Sequence, residues 1–254
     1  MALLHNWPVL VGPVQWRMTH NASVVVKSIY RLSLRAAQGF VSSVMSLMRL
    51  DLQVPNYSPI CRRQGSLAAP ICSSPTNKRP RHIVIDATGL RVCGAGEWHI
   101  HKHRGCRRWS WRKLHLGVDE QTNEIVAVEV TANHDHDSQA LPRLLTQIPG
   151  QECQVSGDGA YDTKACYAAI GQPGAKATIP PRRNAKRMRC VNAHDTLAIR
   201  DANLRQIQQK GRYAWRVANG CTRQSVPEYA VFRFKSIFAS RFRARRFENQ
   251  RVEG

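Results

Sequence analysis

The run Ile83-Val84-Ile85-Asp86-Ala87 constrains the fold of this chain more than any other stretch. Three β-branched apolar residues in a row suit a strand buried in a sheet, and the run ends on an acid. Downstream of it the elements have a legible order. Residues 113–119 alternate polar and apolar side chains, as a half-exposed strand does. Residues 120–123 are turn-like and 124–131 strand-like again, so these two segments predict a hairpin. A helix is expected over 138–148, opened by Ser138 and closed before Pro149-Gly150. Residues 154–158 form a fourth short strand running into a glycine turn, and 163–170 are helical. Ala177-Thr178-Ile179 is a fifth strand, stopped by Pro180-Pro181. A last helix is expected over 227–238, with Pro227 in a first turn that tolerates it. Three strands, helix, strand, helix, strand, helix predicts an α/β fold: a mixed sheet with helices packed on it.

Upstream, the composition changes twice. Residues 23–50 place Ala37, Phe40, Val41, Val44, Met45 and Met48 on one stripe at helical spacing, flanked by Lys27, Arg31, Arg35 and Arg49. An amphipathic helix is expected there. Pro55, Pro59, Pro70, Pro75 and Pro80 then interrupt the chain. The expected organisation is therefore a helical N-terminal region over 1–54, a Pro-rich linker over 55–81, and a main domain over 82–254.

Charge narrows the partner. The chain holds 38 Lys and Arg against 17 Asp and Glu, a formal net charge of +21, which favours a polyanion over a neutral partner. Nucleic acid leads, ahead of anionic membrane or acidic protein. No uncharged apolar run reaches the ~18 residues of a spanning helix. The opening MALLHNWPVLVGPVQW lacks a basic start and is broken by Pro8 and Pro13, unlike a signal peptide. The eight cysteines form no Cys-x-x-Cys pair, which suits reduced thiols in a cytoplasmic, nucleoid-associated protein. His99, His101 and His103 alternate near Cys93 and Cys106, but in no zinc-module spacing.

Three acids stand where chemistry is expected. Asp86 ends the first strand, Asp158 ends the fourth, and Glu228 lies in the first turn of the last helix. If the first and fourth strands run parallel as neighbours, both aspartates emerge at one edge, and the last helix can pack across it. Three converging carboxylates repel one another unless a divalent cation neutralises them. Mg²⁺, with Mn²⁺ as the alternative, suits all-oxygen ligands. Two such ions roughly 3.5–4 Å apart would clamp the attacking and leaving oxygens of a phosphodiester displacement.

Longer motifs surround these acids. Ile85-Asp86-Ala87-Thr88-Gly89-Leu90 with Gly96-Glu97-Trp98, then Trp111-Arg112-Lys113-Leu114-His115-Leu116, resembles the start of the catalytic domain of bacterial DDE transposases, specifically the insertion sequence five group. Ser156-Gly157-Asp158-Gly159-Ala160-Tyr161-Asp162-Thr163-Lys164 is similar to that group's second motif, followed by Ile179-Pro180-Pro181-Arg182-Arg183-Asn184-Ala185. Arg223, Ser225, Glu228, Arg233, Phe234 and Lys235 are similar to its terminal signature. The resemblance implies a ribonuclease-H-like fold with Asp86, Asp158 and Glu228 as catalytic, metal-binding triad. It implies a transposase that cuts the terminal inverted repeats of its element and joins the 3′-hydroxyl ends to target DNA, working as a homodimer or larger. The N-terminal helical region would then be the DNA-binding part. Two positions depart from the signature: Cys221 and Gln224 stand where the family has Tyr and Arg. The chain also ends at Gly254, where relatives continue, and its first twenty residues differ from the family start. Truncation at both ends and weak cutting are expected.

The cations cluster. Lys102, Arg104, Arg107, Arg108, Arg112 and Lys113 interleave with Trp109 and Trp111, a mixture that neutralises phosphates and stacks on bases. Arg182, Arg183, Lys186, Arg187 and Arg189 form a second group, and Arg241, Arg243, Arg245 and Arg246 a third. Lys235 follows Glu228 by seven residues, on one helix face, where it would hold a phosphate beside the acids, with Arg233 nearby. A nuclease of the same fold, and a basic DNA-binding remnant without catalysis, are the competing expectations.

Overall fold

The computed structural model describes residues 13–66, 80–92, 111–148, 152–171, 175–186, 197–221 and 225–254. It divides into two compact units: Met1–Ala69 with Arg246–Glu253, and Pro70–Arg245 with Gly254.

The first unit is helical. It contains α1 (Pro13–Ile29), α2 (Leu34–Leu47), α3 (Tyr57–Arg63) with a 3₁₀ turn at Gln64–Ser66, and the C-terminal helix Phe247–Glu253. The single helix expected across 23–50 is two. Arg31 takes a left-handed φ of 54°, and Ser33 starts α2 afresh, its hydroxyl accepting a bond from the Ala36 amide at 3.2 Å. Of the expected stripe, Ala37 and Val41 are buried, whereas Phe40 and Met48 are exposed. The stretch expected as linker contains α3. Pro59 falls in its first turn, where no amide partner is required, and Ile60 is wholly buried. Arg35 holds α3, donating to the Tyr57 hydroxyl at 3.0 Å with its guanidinium 4.5 Å from the ring centroid.

The second unit is a mixed sheet with helices against it. In chain order it runs β1 (Arg81–Val92), β2 (Trp111–Asp119), β3 (Ile125–Ala132), α4 (Asp137–Leu145), β4 (Glu152–Ser156), α5 (Lys164–Gly171) and β5 (Lys176–Thr178). There follow α6 (Leu197–Lys210), α7 (Arg212–Ala218), α8 (Ser225–Phe238) and β6 (Arg241–Phe242). The strand order is β3-β2-β1-β4-β5, with β6 paired to β1. β2 runs antiparallel to both β1 and β3, while β4 runs parallel to β1 and β5 parallel to β4. This is the ribonuclease-H-like arrangement expected above.

Alternation along β1 splits its residues between two layers. Ile83 and Ile85 join a core with Leu141 and Leu144 of α4 and Tyr167 and Ile170 of α5, all essentially inaccessible. Each such side chain contributes about 1.5–3 kcal/mol by leaving water. Pro142 inside α4 leaves the Ser138 carbonyl without its helical amide, and the Cys166 thiol donates to that oxygen at 3.4 Å. At the start of β1, His82 is bracketed: one ring nitrogen lies 2.7 Å from the Ser156 hydroxyl and the other 3.3 Å from Glu120. The helices α6 and α7 have no counterpart in the expected order. α6 buries Arg200, Asp201 and Asn203 beside Leu204, so it carries no apolar period to read.

Candidate active site

β1 is twelve residues long, and Asp86 lies in its interior rather than at its end. The reason is its partners. β2 pairs with β1 from Ile83 through Arg91, but β4 pairs only as far as Val84↔Ser156. Beyond that pair β4 turns away, and the sheet opens beside the next residue on that face, which is Asp86. Two residues past Ser156 on the parallel neighbour stands Asp158. Both aspartates therefore issue from one edge of the split, because the strands run the same way.

Each has a local hydrogen bond. One Asp86 carboxylate oxygen accepts from the Ala87 amide at 2.8 Å. One Asp158 oxygen accepts from Ala160 at 2.9 Å, capping the 3₁₀ turn Gly159–Tyr161. Asp158 is thus both a turn residue and a member of the acidic group. Glu228 lies in the first turn of α8, a helix that packs on β1 and β2 and buries Pro227, Ala230 and Phe234. Lys235 of the same helix donates to the Thr88 hydroxyl at 2.7 Å, pinning α8 to the residue that follows Asp86 on its face of β1.

The electrostatics tie the acids together. Burial lifts the Asp86 carboxyl above its ordinary range, and the negative charges of Asp158, Glu228 and Asp137 lift it further, against the stabilising Ala87 bond. Asp137 is a fourth acid that the strand and helix pattern did not single out. It sits in the first turn of α4, where Lys113 donates to it at 2.9 Å and to the Asp135 carbonyl at 2.8 Å. Two of the three donors of Lys113, expected on DNA, are thus engaged within the protein.

The remaining residues expected on DNA are dispersed. Trp111 lies across β1, against Gly89, with Arg91 5.5 Å from its ring centroid, and keeps 38% of its surface exposed. Arg112 donates to the Trp111 carbonyl at 3.2 Å. Arg182 and Arg183 are exposed after β5, and Arg233 is exposed above the Tyr229 ring at 5.8 Å. Lys102, Arg104, Arg107, Arg108, Trp109, Arg187, Arg189 and Gln224 lie outside the described residues, as do His99, His101 and His103. Cys221 is buried, and burial pushes its thiol up to about 11. A buried network was also missed: Asp162 pairs with Arg200 at 2.8 Å. Both were passed over because charged residues ordinarily face solvent.

The family described as Transposase DDE domain matches residues 77–250, and a second family of the same description matches residues 18–95. The chain belongs to the DDE transposase family. Two solved structures are remotely similar to this transposase. A chain in the structure of the simian T-cell lymphotropic virus intasome in complex with PP2A regulatory subunit B56 gamma shares 14% identity, with a TM-score of 0.29. That match covers 80% of the transposase chain but spans only 63% of the other chain's length. The piggyBac transposase synaptic complex with hairpin DNA shares 10% identity over 98% of this chain and 73% of that one, with a TM-score of 0.31.

DDE transposases use divalent metal, and the donors present here suit a hard cation: oxygen-only carboxylates, with Asp86 already raised by burial and then by its acidic neighbours. Among the described residues, no three His, Cys, Asp or Glu side chains are gathered into a ready ligand sphere. The fit is therefore one of donor chemistry and charge. No helix among the described residues is long and apolar enough to cross a membrane.

Proposed function

We propose that this transposase, of the insertion sequence five group, cuts the terminal inverted repeats of its own element and joins the freed 3′-hydroxyl ends to target DNA. The observation that carries it is the opening between β1 and β4, where Asp86 and Asp158 leave the same sheet edge and a half-buried Asp86 feels the negative charges of Asp158 and Glu228. These three would hold divalent metal, Mg²⁺ or Mn²⁺, which when bound supplies charge neutralisation and a Lewis acid at the scissile phosphate. The chain's own residues orient that chemistry. Asp86 is fixed by the central strand, Asp158 by its capped turn, and Glu228 by the Lys235–Thr88 bond that seats α8.

The net charge of +21 draws the DNA phosphates, with Arg182, Arg183, Arg233 and the cations of 102–113 as the proposed phosphate-binding groups. The helical first unit serves as the end-binding part, two copies bring two ends together, and the protein acts on the bacterial nucleoid in the cytoplasm.

The test is Mg²⁺-dependent cleavage of a labelled duplex carrying the element's end sequence. Asp86→Asn, Asp158→Asn and Glu228→Gln are each expected to abolish cleavage while leaving duplex binding intact, because each removes a ligand without weakening attraction to phosphate. A variant that cuts at the parental rate takes its residue out of the site. Binding without cleavage by the parent under any divalent metal would favour the non-catalytic reading.

A further inference from the structure

The loop that follows β5 carries Arg182, Arg183 and Lys186, all exposed and without a side-chain partner among the described residues. Three like charges within five residues repel, and a free loop would spread them apart. This loop is instead tied down through its backbone at three places. The Arg182 amide donates to an Asp162 carboxylate oxygen at 3.0 Å. The Pro181 carbonyl accepts from Arg212 at 2.7 Å, and the Lys186 carbonyl accepts from Arg200 at 3.1 Å. The Ala185 amide closes the turn on the Arg182 carbonyl at 3.0 Å.

The first and third of these ties converge on one ion pair. Arg200 grips Asp162 with two nitrogens, at 2.8 and 3.4 Å, and the two side chains keep 9% and 1% of their surface. The Tyr167 hydroxyl adds a bond to the same carboxylate at 3.3 Å. A buried ion pair contributes little net stability over an apolar replacement, so its presence asks what it orients. Here it holds one backbone group at each end of the cationic loop. The loop also abuts the acidic site: the Pro180 carbonyl lies 3.4 Å from where a side chain on Gly159 would begin, one residue after Asp158.

We propose that residues 181–186 form a preorganised phosphodiester-binding rim beside Asp158, and that the buried Asp162–Arg200 pair positions it. The ligand is the backbone of the DNA strand running past the cleavage site, so the inference rests on the transposase reading. The ion pair touches no DNA. It acts by removing the entropic cost of assembling three repelling cations at the moment of binding.

The experiment is a double-mutant cycle read by affinity for a fluorescein-labelled mixed-sequence duplex, without divalent metal, across a salt series. Neutralising the loop with Arg182→Ala, Arg183→Ala and Lys186→Ala is expected to reduce the slope of log affinity against log salt by about 2–3, close to one for each phosphate left unneutralised. Asp162→Asn and Arg200→Lys are each expected to weaken binding about tenfold at low salt in the parental loop, and not at all in the neutralised one. Thermal melts establish that each protein is folded; should Asp162→Asn not fold, Arg200→Lys, which keeps the charge and loses the fork, completes the cycle. Equal losses in both backgrounds would make the pair merely structural and overturn the proposal. An unchanged slope on neutralising the loop would overturn it too. In either case metal-dependent cleavage by the parent keeps the transposase reading intact, whereas a parent that neither binds nor cuts DNA removes both.

Discussion

Gly157→Ala should damage catalysis without touching DNA or any acid. A methyl group at this position would lie 2.9 Å from Cδ2 of Tyr161, and 3.4 and 3.5 Å from the neighbouring ring atoms. Ordinary carbon contacts are about 3.5–4.0 Å, so the structure must yield about 0.6–1.1 Å. The backbone of Gly157 is not left-handed, so the cost is steric rather than conformational. Tyr161 cannot swing aside, since it is 1% exposed and packed in the core with Ile85 and Leu141. Overpacking of this kind costs about 1–3 kcal/mol. At about 2–4 °C per kcal/mol for a unit of this size, Tm should fall by about 2–12 °C.

The displacement also has an address. Asp158 lies between Gly157 and the 3₁₀ turn that contains Tyr161, and its carboxylate is bonded into that turn at Ala160. Whatever part of the shift the turn absorbs, Asp158 moves with it. A catalytic group displaced by ~1 Å can lose on the order of a hundredfold in rate, so a few tenths of an ångström should cost about tenfold. Cleavage rate, Tm and duplex affinity should be measured together. Slower cleavage with lower Tm and unchanged affinity is the expected pattern. Unchanged Tm and rate would mean that the Tyr161 ring does not brace the Asp158 turn.

Three further outcomes follow from the same structure. Because Asp86 titrates above its ordinary range, its ionised form is destabilised in the fold; that part of the stability is present at low pH and lost as pH rises through the folded value. Asp86→Asn should therefore melt above the parent at neutral pH, with the gap closing toward the carboxylate range, and Mg²⁺ should stabilise the parent more than the variant; equal melting at all pH values would refute the combined cost of burial and neighbouring charge on Asp86. Affinity for mixed-sequence duplex should fall on the order of a thousandfold between 50 and 200 mM salt, and a nearly flat profile would remove phosphate neutralisation as the driving force. Cys221→Tyr combined with Gln224→Arg should raise Mg²⁺-dependent cleavage while lowering Tm, since the Cys221 site is 7% exposed and must admit a phenol ring; no gain in cleavage would show that the departure at these positions is not what limits cutting.

The succession of strands and helices from 81 to 178 was legible because each element leaves a local mark. Ile83-Val84-Ile85 has the composition of a buried strand, 113–119 has period two, and Gly157-Asp158-Gly159 has turn chemistry. The three proposed acids each stand at a fixed offset from such a mark, which is why the sequence singles them out. What had no local mark was misread or missed. α3 hides among prolines because a helix tolerates Pro59 in its first turn, and α6 hides because it buries Arg200 and Asp201 instead of an apolar stripe.

Local periodicity, capping residues and charge are properties of neighbours along the chain, so the kinds of element, their order and the attraction to a polyanion are determined before any folding. Pairing and burial depend on residues far apart in the chain. Only the tertiary structure decided that β1 continues six residues past Asp86 while β4 stops at Ser156, which opens the sheet at the acids. It alone placed Asp137 within electrostatic reach of Asp86 and turned Lys113 and Lys235 onto protein partners. It also set Asp162 against Arg200, thirty-eight residues apart, because a charge's partner is chosen by the space it is buried in and not by its place in the sequence.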